Sequence, residues 1–296
     1  MDEEQKFISI VNTIGSKSIE ELLEATGISG RLTRKLIKSG NILVEGKPVE
    51  KKHRLRSREK VTIVLEDEEY DVEPQPIEIE ILYEDRDVIV LNKPAYIVVH
   101  PTKNIKDGTL ANGVAYYFKT KNLKRKIRLV SRLDRDTSGA IIFAKNAYGH
   151  QHLAKQMEEC KLKKSYIAIV EGIVADEKGY IDLPIGLSED GIRQEVREDG
   201  LNSFTSYEVI ERQRGTTLLK LLLVTGRTHQ LRVHLAAIGN PIVGDSLYGT
   251  GSNIINRQAL HAAILEFESP ETGEWIKIES ILPYDIQVAL QQFKSI

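Results

Sequence analysis

An aspartate between two arginines is the sharpest chemical feature of the sequence. Residues 132–139 read RLDRDTSG, and Asp134 lies between Arg132 and Arg135. The last four residues, DTSG, are typical of a tight turn, because Asp, Thr and Ser bond to local backbone and glycine accepts a positive φ. Such a turn does not require Asp134. Nearby cations favour the ionised form of a partly desolvated carboxylate, which can act as a nucleophile or a base.

A second polar motif lies further along the chain. Residues 225–235 read TGRTHQLRVHL, and residues 239–249 read GNPIVGDSLYG. His229 and His234 lie on different faces of a helix at this spacing, and no HExxH pattern is present, so we expect no metal site. Arg227 and Arg232 are either solvated helix side chains or partners of an acid elsewhere in the chain.

The net charge of −2 hides a strong segregation of charge. Residues 28–60 carry eleven Lys or Arg against three Glu, a net of +8. Residues 66–87 carry eleven acids against one Arg, a net of −10, and residues 119–135 carry eight bases against one Asp, a net of +7. A charge run is usually a solvated face, but two basic blocks can also supply the phosphate attraction that nucleic-acid binders need.

The composition excludes several other classes of protein. The chain has 296 residues, 41% of them hydrophobic, which suffices for a sizeable core. Cys160 is the one cysteine, so an intrachain disulfide and a Cys-based zinc cluster are excluded. No apolar run approaches the roughly 18–20 residues of a membrane span, and the first residues, MDEEQKF, lack a secretory layout. We expect a cytosolic (cytoplasmic) protein with no membrane partner.

The spacing of apolar residues divides the chain into two domains. Residues 1–66 are predicted to hold a helix over 19–25, a second, basic helix over 31–38 that starts at Ser29 or Gly30, and a closing strand over 61–65. Residues 67–77 combine like charges with two prolines and are predicted to be a linker. The remainder, 78–296, alternates strands and helices without a regular βαβ period. Its predicted strands and helices cover residues 88–91, 141–144, 146–159, 166–170, 204–210, 218–224 and 230–237.

Four motifs of the larger domain, taken in order, resemble those of the RluA-type RNA pseudouridine synthases. They are LNKP at 91–94, the 132–139 motif, KSYIAIVEG at 164–172 and the block 226–249. This resemblance covers about residues 78–290. Residues 17–65 resemble the S4 RNA-binding module, with a basic helix ending in LIKSG, a short strand, a Gly turn and a last strand.

The resemblance implies an α+β fold, with a mixed, mostly antiparallel sheet in the catalytic domain and a small α+β S4-like domain before it. It also implies an isomerase that converts uridine in structured RNA, rRNA or tRNA, to pseudouridine without a cofactor or metal. Asp134 would be the essential catalytic carboxylate, and Tyr166 the tyrosine that stacks beside the target base. Arg232 would pair with the aspartate, with Arg227 as the alternative by sequence alone.

The resemblance also assigns residues to RNA binding. Arg132 would fill the gap left by the flipped nucleotide, since an enzyme cannot reach a stacked base. Arg31, Arg34 and Lys35 would contact phosphates of structured RNA rather than read base edges. Ser131 is a departure, because the family usually has His before Arg-Leu-Asp. We expect a monomer whose partner is RNA.

Two other interpretations compete with an isomerase. The chain could be an RNA-binding or ribosome-assembly factor on the same scaffold, but such a protein has no need for Asp134, Tyr166 and Arg232 together. A glycosidase with Asp134 and Asp136 as its carboxylate pair is the third interpretation. Residues two apart point to opposite faces of a helix, which disfavours that pair.

Overall fold

The computed structural model describes residues 7–13 and 17–295. Its first part, residues 7–13 and 17–65, is called the N-terminal module below. The module has a four-stranded antiparallel sheet in the order β1-β4-β2-β3. Its elements are β1 (Phe7–Val11), α1 (Ile19–Ala25), α2 (Gly30–Lys38), β2 (Ile42–Val44), β3 (Lys47–Pro48) and β4 (Lys60–Val64).

Both helices of the N-terminal module begin at a serine. The Ser18 hydroxyl accepts the N–H of Glu21, and the Ser29 hydroxyl accepts the N–H of Leu32, each at 3.3 Å. A serine at this position satisfies one of the four N–H groups that a helix start leaves free. The predicted start of the second helix at Ser29 or Gly30 is therefore confirmed.

The larger part is built on one ten-stranded sheet. Eight strands follow the order β10-β13-β14-β9-β15-β8-β6-β5, while β16 pairs with β15 and β7 with β8. The mostly antiparallel sheet confirms the predicted fold class. The strands are β5 (Glu80–Glu84), β6 (Val88–Lys93), β7 (Arg128–Leu129), β8 (Ser138–Ala144), β9 (Lys163–Glu171), β10 (Lys178–Asp182), β13 (Phe204–Gln213), β14 (Thr216–Leu223), β15 (Leu260–Glu268) and β16 (Trp275–Glu279).

Helices and a small hairpin surround this sheet. The predicted helix over residues 230–237 is confirmed with the same bounds. No helix among the described residues is both long and apolar enough to cross a membrane. The remaining elements are α3 (Leu110–Thr120), α4 (Ala147–Glu158), β11 (Ile185–Leu187), β12 (Gln194–Val196), α5 (Gln230–Ala237) and α6 (Tyr284–Ser295).

A parallel pairing in the middle of the sheet fixes where the 132–139 motif lies. Among the described strands, β8 and β15 are the one parallel pair, with Ser138 opposite His261 and Gly139 opposite Ala262. Gly139 has φ +115°, and a Cβ there would lie 2.2 Å from the Ala262 carbonyl oxygen. Only glycine allows the two backbones to approach this closely. The motif therefore enters the sheet at its centre, beside β15.

The acidic segment 66–77 contains no helix or strand, but it is packed against the second basic block. The Arg128 guanidinium contacts both carboxylate oxygens of Glu68 at 2.5 and 2.6 Å. The Tyr70 hydroxyl donates to the Leu123 carbonyl at 2.9 Å, and the Asp71 carboxylate accepts the Ile127 N–H at 2.9 Å. Part of the positive charge of residues 119–135 is thus neutralised by the protein itself.

The N-terminal module contacts α4 of the larger part. The Gln151 side chain donates to the Gly27 carbonyl at 2.5 Å, and Tyr148 packs against the module's apolar core. These contacts join the turn after α1 to α4 of the larger part. The two parts therefore touch directly, as well as through the acidic segment.

Candidate active site

The turn before β8 carries two acids, Asp134 and Asp136. The Thr137 N–H donates to the Asp134 carbonyl at 3.1 Å, which closes the turn. The Arg135 guanidinium contacts both carboxylate oxygens of Asp136, at 2.8 and 2.9 Å. The Asp134 side chain keeps 26% of its surface exposed. The Asp136 side chain is similarly exposed, at 21%, so the two acids differ in their partners: Asp136 binds Arg135 within its own turn.

Arg232 joins Asp134 to a second carboxylate. Its Nη1 lies 3.2 Å from Asp134 Oδ2, while Nε and Nη2 contact the two carboxylate oxygens of Asp245 at 2.7 and 2.8 Å. The Arg232 side chain is only 9% exposed and that of Asp245 is fully buried. The two-pronged contact with Asp245 fixes the guanidinium plane and leaves one N–H edge for Asp134.

Asp245 is itself held by backbone and by its arginine. Its Oδ1 accepts the N–H groups of Leu247 at 2.9 Å and Tyr248 at 3.1 Å. Burial alone would raise the pKa of Asp245, but hydrogen bonds and charge from Arg232 lower that pKa below its ordinary value. The Tyr248 ring centroid lies 4.9 Å from the Arg232 Cζ, a cation–π contact.

Tyr166 shares a small pocket of about 50 Å³ with the aspartate and the arginine. The tyrosine is 4% exposed and lies on β9, opposite Leu221 of β14 and Ala262 of β15. Burial, with the nearby charge of Asp134, raises the pKa of Tyr166 above its ordinary value, which keeps the phenol protonated. Residues that line the same pocket include Arg132, Leu133, Thr137, Leu223, Arg227, His229, Gln230, Leu231 and Leu260.

This pocket adjoins a larger cleft of about 770 Å³, and the two share Asp134 in their linings. Arg132 and Arg227 are both exposed on its walls. Arg227 donates weakly to the Asn202 carbonyl at 3.4 Å, and it lies outside α5 rather than on it. Within the described residues, Arg232 and not Arg227 contacts Asp134, which decides between the two candidates for that ion pair.

Two buried basic side chains bind the backbone of the Asp134 turn. Lys93, at the end of β6, is fully buried and donates from Nζ to the carbonyls of Pro94 and Arg135, each at 2.8 Å. Arg257 donates to the Asp136 carbonyl at 3.0 Å and contacts both carboxylate oxygens of Asp285. The lysine of the LNKP motif therefore supports the Asp134 turn directly.

The two histidines of the second motif are hydrogen-bonded groups. His229 Nδ1 lies 2.8 Å from the Tyr248 hydroxyl, and His234 is buried between the Thr205 hydroxyl and the Leu183 carbonyl. Burial lowers the pKa of both histidines. Within the residues described, no group of three His, Cys, Asp or Glu side chains could hold a metal ion.

The predicted RNA-binding residues of the N-terminal module lie away from this cleft. Arg31, Arg34 and Lys35 are exposed on α2, where Arg34 Nε donates to the Gly30 carbonyl at 3.1 Å. None of the three lines the cleft with Asp134. The structure thus brings together Asp134, Tyr166 and Arg232, with Arg132 and Arg227 nearby, and leaves the cations of α2 on a separate surface.

Asp245 and Lys93 support the candidate site, and neither was assigned to it from the sequence. Asp245 lies within the GDSLYG part of the second motif, but nothing in its spacing indicated Arg232 as its partner. A signal existed in retrospect, because an arginine that is buried on a helix needs an acid to compensate its charge.

Comparisons with known proteins agree with this geometry. A family model described as RNA pseudouridylate synthase matches residues 87–237. The uncharacterized RNA pseudouridine synthase YlyB of Bacillus subtilis (strain 168) is 37% identical over 287 residues, which cover 94% of this chain and 95% of that protein. Ribosomal large subunit pseudouridine synthase D of Xanthomonas campestris is 39% identical over 270 residues, with 85% and 80% covered. Among solved structures, Human RNA Pseudouridylate Synthase Domain Containing 1 matches with a TM-score of 0.57 and 26% identity, covering 75% of this chain and 97% of that one.

Burial of Lys93 predicts a specific pH dependence of stability. Desolvation lowers the pKa of Lys93 to about 7 in the folded protein, against 10.5 in a solvated chain. Between these values the unfolded chain binds a proton that the folded protein lacks, so this group makes stability rise with pH. We expect the free energy of unfolding of wild type, relative to Lys93→Met, to rise from pH 6.5 to pH 9.5 in denaturant titrations. The exposed Lys103→Met variant is the control, and a constant difference between wild type and Lys93→Met would contradict the prediction.

Proposed function

The chain belongs to the RNA pseudouridylate synthase family and isomerises uridine in RNA, and from this premise we propose that Asp134 is the catalytic carboxylate. In the reaction, the bond between C1′ and N1 of uridine breaks and a bond forms between C1′ and C5. One hydrogen leaves C5 and one is added at N1, so the product has the composition of the substrate. A carboxylate can serve this exchange by attack on the nucleoside or by removal of a ribose proton.

The contact between Arg232 Nη1 and Asp134 Oδ2, 3.2 Å long at the bottom of the cleft, is the observation that carries this assignment. It orients the Asp134 carboxylate without enclosing it, because Asp245 takes the other two donor nitrogens of the guanidinium. Tyr166 contributes a protonated phenol in the same pocket. This arrangement leaves Asp134 ready to meet a nucleotide that enters the pocket.

The pocket also supports a flipped-out substrate. Asp134 lines both this pocket and the cleft of about 770 Å³ beside it, so a single unstacked nucleoside in the cleft can reach the carboxylate. We propose that Arg132, which is exposed and makes no hydrogen bond or ion pair within the described residues, fills the space that the uridine leaves in the RNA. Arg227, on the same wall, is placed to contact a phosphate of the strand.

We propose ribosomal RNA as the substrate, with the N-terminal module as an S4-like RNA-binding domain. Relatives at 36–39% identity are named ribosomal large subunit pseudouridine synthase D, which supports ribosomal over transfer RNA. The module's two helices, antiparallel sheet and row of exposed cations on α2 are features that suit binding to the backbone of structured RNA. Arg31, Arg34 and Lys35 would then contact phosphates outside the cleft.

Asp134→Asn should abolish isomerisation and leave RNA binding intact. An amide is isosteric with the carboxylate but is neither a base nor a nucleophile, so release of tritium from RNA labelled at uracil C5 should fall by roughly 10³-fold or more. The Kd for the same RNA should change by less than about threefold. Asp136→Asn is the matched control, because its carboxylate contacts Arg135 rather than Arg232. It should retain most of the rate.

The choice of RNA in the tritium-release assay distinguishes ribosomal RNA from transfer RNA as the substrate. Ribosomal RNA from cells that lack this protein should release tritium with wild type, and transfer RNA from the same cells should not. Equal release by Asp134→Asn and wild type would contradict the catalytic assignment. RNA binding without any release by wild type would instead favour the non-catalytic assembly factor.

The cations of α2 should contribute to RNA affinity and not to the chemical step. A triple change of Arg31, Arg34 and Lys35 to Gln should raise Kd and reduce the slope of log Kd against log salt by about 0.7 to 0.9 for each lost phosphate contact. The single-turnover rate at saturating RNA should stay unchanged. The control is a triple change to Gln of three exposed cations away from the cleft, Lys178, Lys220 and Lys277. Equal salt slopes for the two triple variants would contradict a contact between α2 and RNA.

A further inference from the structure

Lys164 is a lysine of the cleft that the proposed mechanism leaves without a role. It lies on β9 two residues before Tyr166, and alternate residues of a strand share a face, so both side chains point to the catalytic side of the sheet. Lys164 lines the larger cleft together with Arg132 and Asp134. A Cβ added at Gly226 would lie 3.6 Å from Lys164 Nζ, which places the ammonium beside the loop that carries Arg227.

This ammonium is partly removed from water and has nothing to compensate it. Within residues 7–13 and 17–295, no hydrogen bond and no ion pair reaches Lys164 Nζ. Burial lowers the pKa of Lys164, and no charge of either sign contributes to that shift. A desolvated cation without a partner is costly to fold.

Four other buried basic residues, Lys93, Lys145, Arg232 and Arg257, have acceptors in the structure. Lys93 donates to two carbonyls, and Lys145 contacts the Glu84 carboxylate and the Asp85 carbonyl, each at 2.7 Å. Arg232 and Arg257 each form a two-pronged contact with a buried or half-buried aspartate. Lys164 is thus an exception in a protein that otherwise pairs such groups, and its Nζ faces the cleft into which RNA would enter.

We propose that Lys164 is a preformed binding site for a phosphodiester of the RNA strand next to the flipped uridine. This inference rests on the proposed function, because it requires RNA in the cleft. A phosphate supplies the negative charge and the oxygen acceptors that Nζ lacks in the free protein. Their attraction is stronger here than at an exposed lysine, since the walls of the cleft reduce screening by water.

The proposal predicts opposite effects of one substitution on stability and on binding. In the free protein, Lys164→Met replaces an uncompensated ammonium by an apolar chain of similar length, so its Tm should equal or exceed that of wild type. In the complex the same change removes one phosphate contact. A lysine that served only the fold would show the reverse pattern, with a lower Tm and unchanged RNA affinity.

Lys163 provides a matched control on the same strand. Its side chain is exposed and points to the opposite face of β9, where the strand pairs with Glu266 of β15. Lys163→Met therefore removes an equal charge at almost the same place in the chain, without touching the cleft.

The experiment measures Tm, Kd and the salt dependence of Kd for wild type, Lys164→Met, Lys164→Arg and Lys163→Met, with one ribosomal RNA fragment. For Lys164→Met we expect a Kd about tenfold higher and a salt slope smaller by about 0.7 to 0.9, with a Tm no lower than wild type. Lys164→Arg should keep the wild-type slope, and Lys163→Met should match wild type in all three quantities.

Two results would overturn the proposal. One is a folded Lys164→Met variant whose Kd and slope equal those of Lys163→Met. The other is a fall in the Tm of Lys164→Met with no change in slope, which would make the lysine structural. Tritium release by wild type, measured on the same fragment, tests the proposed function separately. An active wild type with an unaffected Lys164→Met variant rejects only the phosphate site.

Discussion

The buried guanidinium of Arg232 is the interaction on which the candidate active site depends. A charge that is 91% covered by protein must be compensated, and Asp245 does so through two short contacts. Asp245 in turn relies on two backbone N–H groups of the loop after α5. Arg232 presents its remaining N–H edge to Asp134 only when Asp245 and these two N–H groups are in place. The Asp134 carboxylate is therefore positioned by a chain of contacts that begins well outside its own turn.

The sheet also positions Asp134, because it fixes where the Asp134 turn lies. The parallel pairing of β8 with β15 brings the Asp134 turn to the centre of the sheet, and Gly139 allows the backbones to meet there. Lys93 and Arg257 then bind carbonyl groups of the turn from β6 and from the segment before β15. Burial of these cations is costly, and it is offset because their donors find carbonyl or carboxylate acceptors. Lys164, which lacks such acceptors, is the group whose compensation is left to the substrate.

Local signals in the sequence were enough for much of the fold. Helix α2 has its serine cap and basic face as predicted, and α5 has its predicted bounds, because capping and periodicity are properties of neighbouring residues. The pairing of Arg232 with Asp245 was not predicted, since it depends on how a loop folds back over a helix. The support of the Asp134 turn by Lys93 was missed for the same reason, as 42 residues separate the lysine from its acceptor at Arg135. The acidic segment was predicted from its charge. Its contacts with the second basic block join residues that are distant in the sequence, so no local pattern indicated them.

Replacement of Arg232 by lysine tests the central claim most directly. An ammonium carries its three donors on one nitrogen, so it cannot reproduce the planar two-pronged contact with Asp245 and reach Asp134 at the same time. The account predicts that Arg232→Lys lowers the single-turnover rate of pseudouridine formation by roughly 10²-fold or more, while Kd for RNA changes by less than about threefold. A folded Arg232→Lys variant with the wild-type rate would contradict it.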